Sequence, residues 1–162
     1  MVRQAVDPFL AADLDAVFVI VGNEDDQVAN ALVDQPIEIV PNPNWEEGQS
    51  TSLRAGVRAA METDADAIVF GLGDMPWITA GTVESLIETY RRYDAPIIAA
   101  AYNGKRGNPV LFTRTVFDNL LAVRGDTGGR ELILSTSNAV AVETEDPGVI
   151  RDIDRQEDMP DE

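Results

Sequence analysis

The sequence predicts a single α/β domain with a mostly parallel, doubly wound sheet between helical layers. Three observations carry this expectation. Continuous apolar, β-branched runs of strand length recur along the chain, as at Ala16–Val21, Ala67–Leu72 and Pro96–Ala101. Such runs are typical of parallel strands buried on both faces. Segments of 10–15 residues with helical periodicity separate them, and that alternation builds parallel sheets. The 162 residues, 44% hydrophobic and 25% charged, suit one domain with a real core.

Taken in order, Met1–Asp15 is a mixed, helix-like stretch, and Ala16–Val21 is the first strand, ending at Gly22. A helix follows over Glu24–Val33, with acids in its first turn. Ile37–Val40 is a short strand closed by Pro41 and Pro43. Ser52–Thr63 reads as a helix with Leu53, Val57, Ala60 and Met61 on one face. Ala67–Leu72 is the third strand. Thr79–Tyr93 is a helix carrying Val83, Leu86, Ile87 and Tyr90 on one side. Pro96–Ala101 is the fourth strand, and Val110–Phe112 is a candidate fifth. Helices around Thr115–Ala122 and Gly129–Ser135 precede a last strand at Ala139–Glu143. The domain is expected to span residues 1–158, with 159–162 as an acidic tail.

Composition excludes several functions. The net charge is −17, with 12 basic and 29 acidic residues and no basic stripe, which argues against nucleic acid as a partner. Without cysteine or histidine there is no disulfide, no thiolate or imidazole metal site, and no Ser-His-Asp or Cys-His mechanism. Chemistry must rest on carboxylates, backbone amides and a hard cation. Lys105 is the one lysine beside eleven arginines. An acidic, lysine-poor surface fits a protein working in concentrated salt, where screening shortens the Debye length to roughly 3 Å at 1 M; the other reading is an acidic mesophilic protein. No run reaches membrane-span length and the N-terminus does not read as a signal peptide, so the expected location is cytoplasmic.

In a doubly wound sheet, ligands bind beyond the C-terminal strand ends. The loops there are Gly22–Asp25, Asn42–Ser52, Gly71–Thr79 and Tyr102–Pro109. Asp74 follows a buried strand directly, behind Gly73, and can hold Mg²⁺, which takes oxygen ligands. The other reading, a helix cap, places it five residues early. Gly48, Ser50, Ser52 and Leu53 open a helix whose N-terminus suits a ribose, base or phosphate, and serves equally as an ordinary cap. Lys105 and Arg106 form a cationic spot able to draw an anionic substrate or to sit solvated in a turn. Gly125–Arg130 is a turn into a helix. Asp152 and Asp154, at i and i+2, share one side of an extended segment. They could complete a cation site with Asp74 or belong to a solvated tail.

Together these stretches form an ordered set: Gly48-x-Ser50-x-Ser52-Leu53-x-x-Gly56, Gly73-Asp74-Met75-Pro76, Arg106-Gly107-Asn108-Pro109-Val110, Gly125-Asp126-x-Gly128-x-Arg130 and Asp152-Ile153-Asp154. The set resembles the MobA-like NTP transferases, most closely the molybdenum cofactor cytidylyltransferase branch, over about residues 1–158. The resemblance implies a three-layer Rossmann-like fold of the GT-A nucleotidyltransferase type. It implies transfer of an NMP, from CTP in this branch, to a phosphorylated acceptor such as molybdopterin-bound molybdenum, with release of pyrophosphate. A molybdoenzyme is a possible further partner.

By the same resemblance, Asp74, Asp152 and Asp154 hold Mg²⁺, with Asp74 and Asp154 catalytic. Gly48, Ser50, Ser52, Leu53, Gly73 and Asp74 meet the nucleotide. Arg106, Gly107, Asn108 and Pro109, with Asp126 and Arg130, lie on the acceptor side. A related sugar-phosphate or phospholactate nucleotidyltransferase, or a non-catalytic cofactor- or partner-binding remnant, are the other readings. The family's glycine-rich Leu-Ala-Ala-Gly loop after a first strand has no counterpart here. Relative to the family the chain is expected to begin one βα unit late, through a misassigned start, a fragment or a paralogue without nucleotide binding. The strand concerned would be central, so unpaired backbone groups and exposed apolar surface are expected beside it.

Overall fold

The structure is a computed structural model that describes residues 1–23, 25–126 and 128–153. The element order is α1 (Val2–Leu10), β1 (Phe18–Val21), α2 (Asp25–Ala31), β2 (Glu38–Pro41), α3 (Gln49–Glu62), β3 (Ala67–Phe70) and α4 (Ala80–Arg92). It continues with β4 (Ile97–Tyr102), β5 (Lys105–Thr113), α5 (Phe117–Leu121), α6 (Arg130–Ser135) and β6 (Val140–Thr144). Short 3₁₀ turns lie at Trp45–Glu47, Arg114–Val116 and Pro147–Ile150.

The strand sequences explain the layering. Along β4, Ile97 and Ala99 point into one core cluster and Ile98 and Ala100 into another. On β5, Val110 and Phe112 join the first cluster and Leu111 the second. Alternate residues thus need apolar cover on both faces, and a continuous apolar run is the result. One cluster gathers Leu53 and Val57 of α3 with Phe117 and Leu120 of α5; the other gathers Val83, Leu86 and Ile87 of α4, with Phe9 of α1 packed against it. Each fully buried large side chain contributes roughly 1.5–3 kcal/mol through removal from water.

The sheet departs from the simplest expectation in two ways. β5 runs antiparallel between β3 and β4, while β4 and β6 are parallel. The turn at Asn103 and Gly104, both with positive φ, sends the chain straight back from β4. Arg106–Pro109, expected in a loop, therefore lie within a strand that reaches Lys105. The second departure is that the strands form two sheets: β1–β2, parallel, and β3–β5–β4–β6. β1 and β3 are consequently only half-buried apart from Val21, although their sequences match the fully buried β4 in character.

Helix boundaries shift modestly. α3 starts at Gln49, so Ser50–Ser52 occupy its first turn. Its buried face holds Leu53, Val57 and Ala60, but Met61 is exposed, because position 61 falls at the stripe's solvent edge. In α4 the N-cap is Thr79, whose hydroxyl accepts from the Thr82 amide, so Asp74 is not the cap.

Candidate active site

The loops at the C-terminal strand ends converge on one large cavity of about 1620 Å³. Its lining includes Gly22, Gln49, Ser52, Gly73, Asn108 and Arg130. Leu53, Arg106, Gly107 and Gly128 also face it. Residues from the stretches 49–53, 71–73, 105–108 and 128–130, distant in sequence, thus line one cavity.

The first turn of α3 is held from two sides. Asn42, buried behind β2, donates through Nδ2 to Thr51 Oγ1 at 2.8 Å and to Ser52 Oγ at 3.0 Å. Thr51 Oγ1 donates in turn to the Gly48 carbonyl at 2.8 Å. On the other side the Ser50 amide donates to the Gly125 carbonyl at 3.1 Å, and Arg54 reaches Ser50 Oγ and the Val123 carbonyl. Gly48 has φ +110°, and a Cβ there would lie 2.4 Å from Asp126 Oδ1. Glycine is required by both conformation and contact. Ser52 faces the cavity. Ser50 is buried toward the 123–125 turn, and Asp126 packs on Gly48 instead of lining the mouth.

Asp74 is exposed and is not itself on the cavity lining; it directly follows cavity-lining Gly73, in a loop tied to the C-terminal part of the chain. The Ile153 amide donates to the Asp74 carbonyl at 2.9 Å, which ties the segment after the Pro147–Ile150 turn, Asp152 included, to the Asp74 loop. The Arg151 guanidinium stacks over the Trp77 ring, 3.6 Å from its centroid. A Cβ on Gly148 would lie 2.5 Å from the Trp77 carbonyl oxygen, so the Pro147–Ile150 turn packs directly on this loop.

Below them, buried Asp146 accepts from Thr82 Oγ1 (2.6 Å), the Thr79 amide (2.9 Å), Thr79 Oγ1 (3.0 Å) and the Gly148 amide (2.9 Å). Burial pushes this carboxyl upward, but the hydrogen bonds from Thr82, Thr79 and Gly148 outweigh it and hold Asp146 below the ordinary carboxylate range. Neither Asn42 nor Asp146 stood out in the sequence. The signal for Asp146 is its place before Pro147, an acidic cap followed by proline at the first helical position.

Asp74 and Asp152 are both exposed and offer only oxygen donors, the ligand type a hard divalent cation takes. Among the described residues no three acidic side chains gather into a metal-sized cluster. Asp154 lies outside the described residues.

Gly107 also has a structural role. A Cβ there would fall 1.8 Å from the Val149 carbonyl oxygen, where β5 meets the Pro147–Ile150 turn. Gly107→Ala should cost about 3 kcal/mol by overpacking against backbone that cannot yield locally. Urea unfolding monitored by tryptophan fluorescence checks this; an unchanged midpoint would show that the turn can shift freely. Pro109 is buried beside it, following a cis Asn108–Pro109 peptide.

Among the described residues no helix is long and apolar enough to cross a membrane. The purine catabolism protein PucB of Bacillus subtilis (strain 168) is 30% identical over 115 residues, 70% of this chain and 55% of PucB. The chain thus spans about half the length of that relative. Nicotine blue oxidoreductase of Paenarthrobacter nicotinovorans is 26% identical over 168 residues, 98% of this chain and 80% of that protein.

Among solved structures, the Rv0371c homolog from Mycobacterium sp. strain JC1 superposes with a TM-score of 0.80 at 30% identity, covering 96% of this chain and 77% of that one. Rv0371C from Mycobacterium tuberculosis H37Rv, solved in complex with manganese, gives 0.74 at 26% identity, covering 88% and 76%. The MobA-like NTP transferase domain matches residues 1–140, over a fold and a loop arrangement that agree with it, and the chain belongs to that family.

Proposed function

We propose that this chain is a divalent-metal-dependent nucleotidyltransferase that moves an NMP from an NTP to a phosphorylated acceptor and releases pyrophosphate. The observation that supports the reading is the main-chain bond from Ile153 to Asp74, which brings the segment carrying Asp152 to the loop that carries Asp74, next to cavity-lining Gly73. Asp74 and Asp152 would hold Mg²⁺, which would offset charge on the phosphates when bound.

The chain's own residues supply the positioning. Ser52 and the first-turn amides of α3, steadied by Asn42, present donors to the nucleotide. Arg106 and Arg130, on an otherwise acidic chain, draw the anionic acceptor to the opposite side of the mouth. An acceptor phosphate oxygen attacks the α-phosphorus, the α–β bridging bond breaks, and pyrophosphate leaves. A phosphate nucleophile is already ionised at neutral pH, so a chain without histidine loses nothing; alignment and charge compensation dominate such transfers.

For the finer identity we propose CTP as donor and molybdopterin-bound molybdenum as acceptor, with a molybdoenzyme as the product's recipient. The acidic, lysine-poor composition supports activity in concentrated salt. The test is a pyrophosphate-release panel of CTP, GTP, ATP and UTP against molybdopterin, a sugar phosphate and phospholactate, with Mg²⁺ or Mn²⁺, in roughly 1 M KCl. Turnover only with CTP and the pterin is expected. Turnover with another acceptor reassigns the substrate. Acceptor binding by calorimetry without turnover on any pair makes the chain a binding module.

A further inference from the structure

We infer that Asn42 is a positioning residue that commits the Ser52 hydroxyl to donate into the cavity, so that this wall reads a hydrogen-bond acceptor on the nucleotide. The inference rests on the nucleotidyltransferase reading. It adds the polarity of one contact and the residue that sets it.

Asn42 starts from a fixed backbone. It follows β2 directly, and its amide donates to the Val21 carbonyl at 2.7 Å, which extends the β1–β2 ladder by one residue. The residue is 5% exposed, so water does not compete for its side chain.

The orientation of the carboxamide follows from its neighbours. Oδ1 accepts from the Asn44 amide at 3.1 Å. Turning the group over would set Nδ2 against that N–H, donor against donor. Nδ2 therefore faces α3, and both of its hydrogens are used there, one on Thr51 Oγ1 and one on Ser52 Oγ. An amide nitrogen only donates, so both hydroxyl oxygens accept from it.

Each hydroxyl then has one proton to place, and the first turn of α3 treats the two differently. Thr51, which is buried, donates its proton to the Gly48 carbonyl at 2.8 Å. That carbonyl also accepts from the Thr51 amide at 3.1 Å. It is the carbonyl four residues back from Ser52, the usual acceptor for a serine hydroxyl within a helix. Thr51 has taken that place. The third hydroxyl, on Ser50, is buried and accepts from Arg54 at 3.3 Å.

Of the three, Ser52 is the one that lines the cavity, and among the described residues its proton goes to no protein group. A carbonyl oxygen, a ring nitrogen without hydrogen or a phosphate oxygen on the nucleotide would accept it. An N–H or amino group at the same point would meet a proton and leave two donors unsatisfied, which is how a hydrogen-bonding wall discriminates between ligands.

The test is a double-mutant cycle on nucleotide affinity. Calorimetry with CTP, GTP, ATP and UTP, each with Mn²⁺, identifies a nucleotide that binds the wild-type chain. Ser52→Ala should weaken that binding about 10-fold, the effect of one neutral hydrogen bond. Asn42→Leu, of similar volume, releases the Ser52 hydroxyl to rotate and should weaken binding about 5-fold. In the Ser52→Ala background the same Asn42→Leu change should cost less than about 2-fold, because its effect runs through a hydroxyl that is gone. Should Asn42→Leu not fold, Asn42→Asp keeps the shape and draws the Ser52 proton inward; the cycle is then measured in about 1 M KCl, where the added charge is screened. Wild-type affinity in Ser52→Ala overturns the inference. So does an Asn42 variant that weakens binding equally in both backgrounds, which would make Asn42 a support of the turn and nothing more. A wild-type chain that binds none of the four nucleotides defeats the nucleotidyltransferase reading and the inference together.

Discussion

Asp74→Asn should lower the rate of NMP transfer by about 10²–10³-fold, equivalent to roughly 3–4 kcal/mol of transition-state stabilisation. The substitution keeps an oxygen at the rim but removes the charge on which the cation depends. Any effect on folding is read separately: Asp74 is exposed, and the bond its main-chain carbonyl accepts from Ile153 is retained by asparagine. Pyrophosphate release and Mn²⁺ titration by calorimetry, read beside a melting curve, separate the two effects. A variant with wild-type turnover and wild-type metal affinity would remove Asp74 from the mechanism.

The largest loss of stability is expected from Asp146→Ala. Its carboxylate satisfies two amides and two hydroxyls that join α4 to the Pro147–Ile150 turn. Truncation leaves those donors in a site with little access to water, at about 1–3 kcal/mol for each that finds no new partner. A total near 4 kcal/mol is expected, which is a large share of the stability of an ordinary domain. Because this junction carries Trp77 and the Asp74 loop, transfer activity should fall as well, even under conditions where the variant is folded. Asp146→Asn, which keeps one acceptor oxygen, should lose about half as much.

The acid limb of stability carries the same signature. The folded state holds Asp146 below its ordinary value despite burial, because the charged form accepts the four hydrogen bonds. Its contribution is therefore complete above the unfolded carboxylate value near about pH 4 and is lost as pH falls through the lower folded value. Urea midpoints between roughly pH 2 and 6 should drop more steeply for the wild type than for Asp146→Ala. Parallel curves would show that another group controls the acid limb.

The elements were legible because they depend on local periodicity. The apolar stripe of α4 and the alternation hidden inside the continuous runs of β3 and β4 can be read without knowledge of the neighbours. The loops around the cavity were legible too, because a helix N-terminus and a glycine loop behind a buried strand are local features. Not legible was the direction of β5. Arg106–Pro109 read as a loop because Gly104, Gly107 and Pro109 are turn-forming residues. Only pairing with β3 and β4 on either side makes the segment a strand.

Asp146 escaped notice for a different reason. Its partners Thr79 and Thr82 lie 67 and 64 positions away, and neither end signals the other.

The sequence by itself determined the class of fold, since residue type and short-range spacing fix the elements, and its ordered motifs carried the resemblance to the family that the domain match bears out. The tertiary structure decided the rest: that the Ile153 segment meets the Asp74 loop, which serine is spent on packing, that Asp146 ties α4 to the Pro147–Ile150 turn, and that β1 and β3 remain half-buried. Those outcomes depend on backbone pairing between distant segments, and the energy of a hydrogen-bonded strand edge is not written in the side chains of either strand alone.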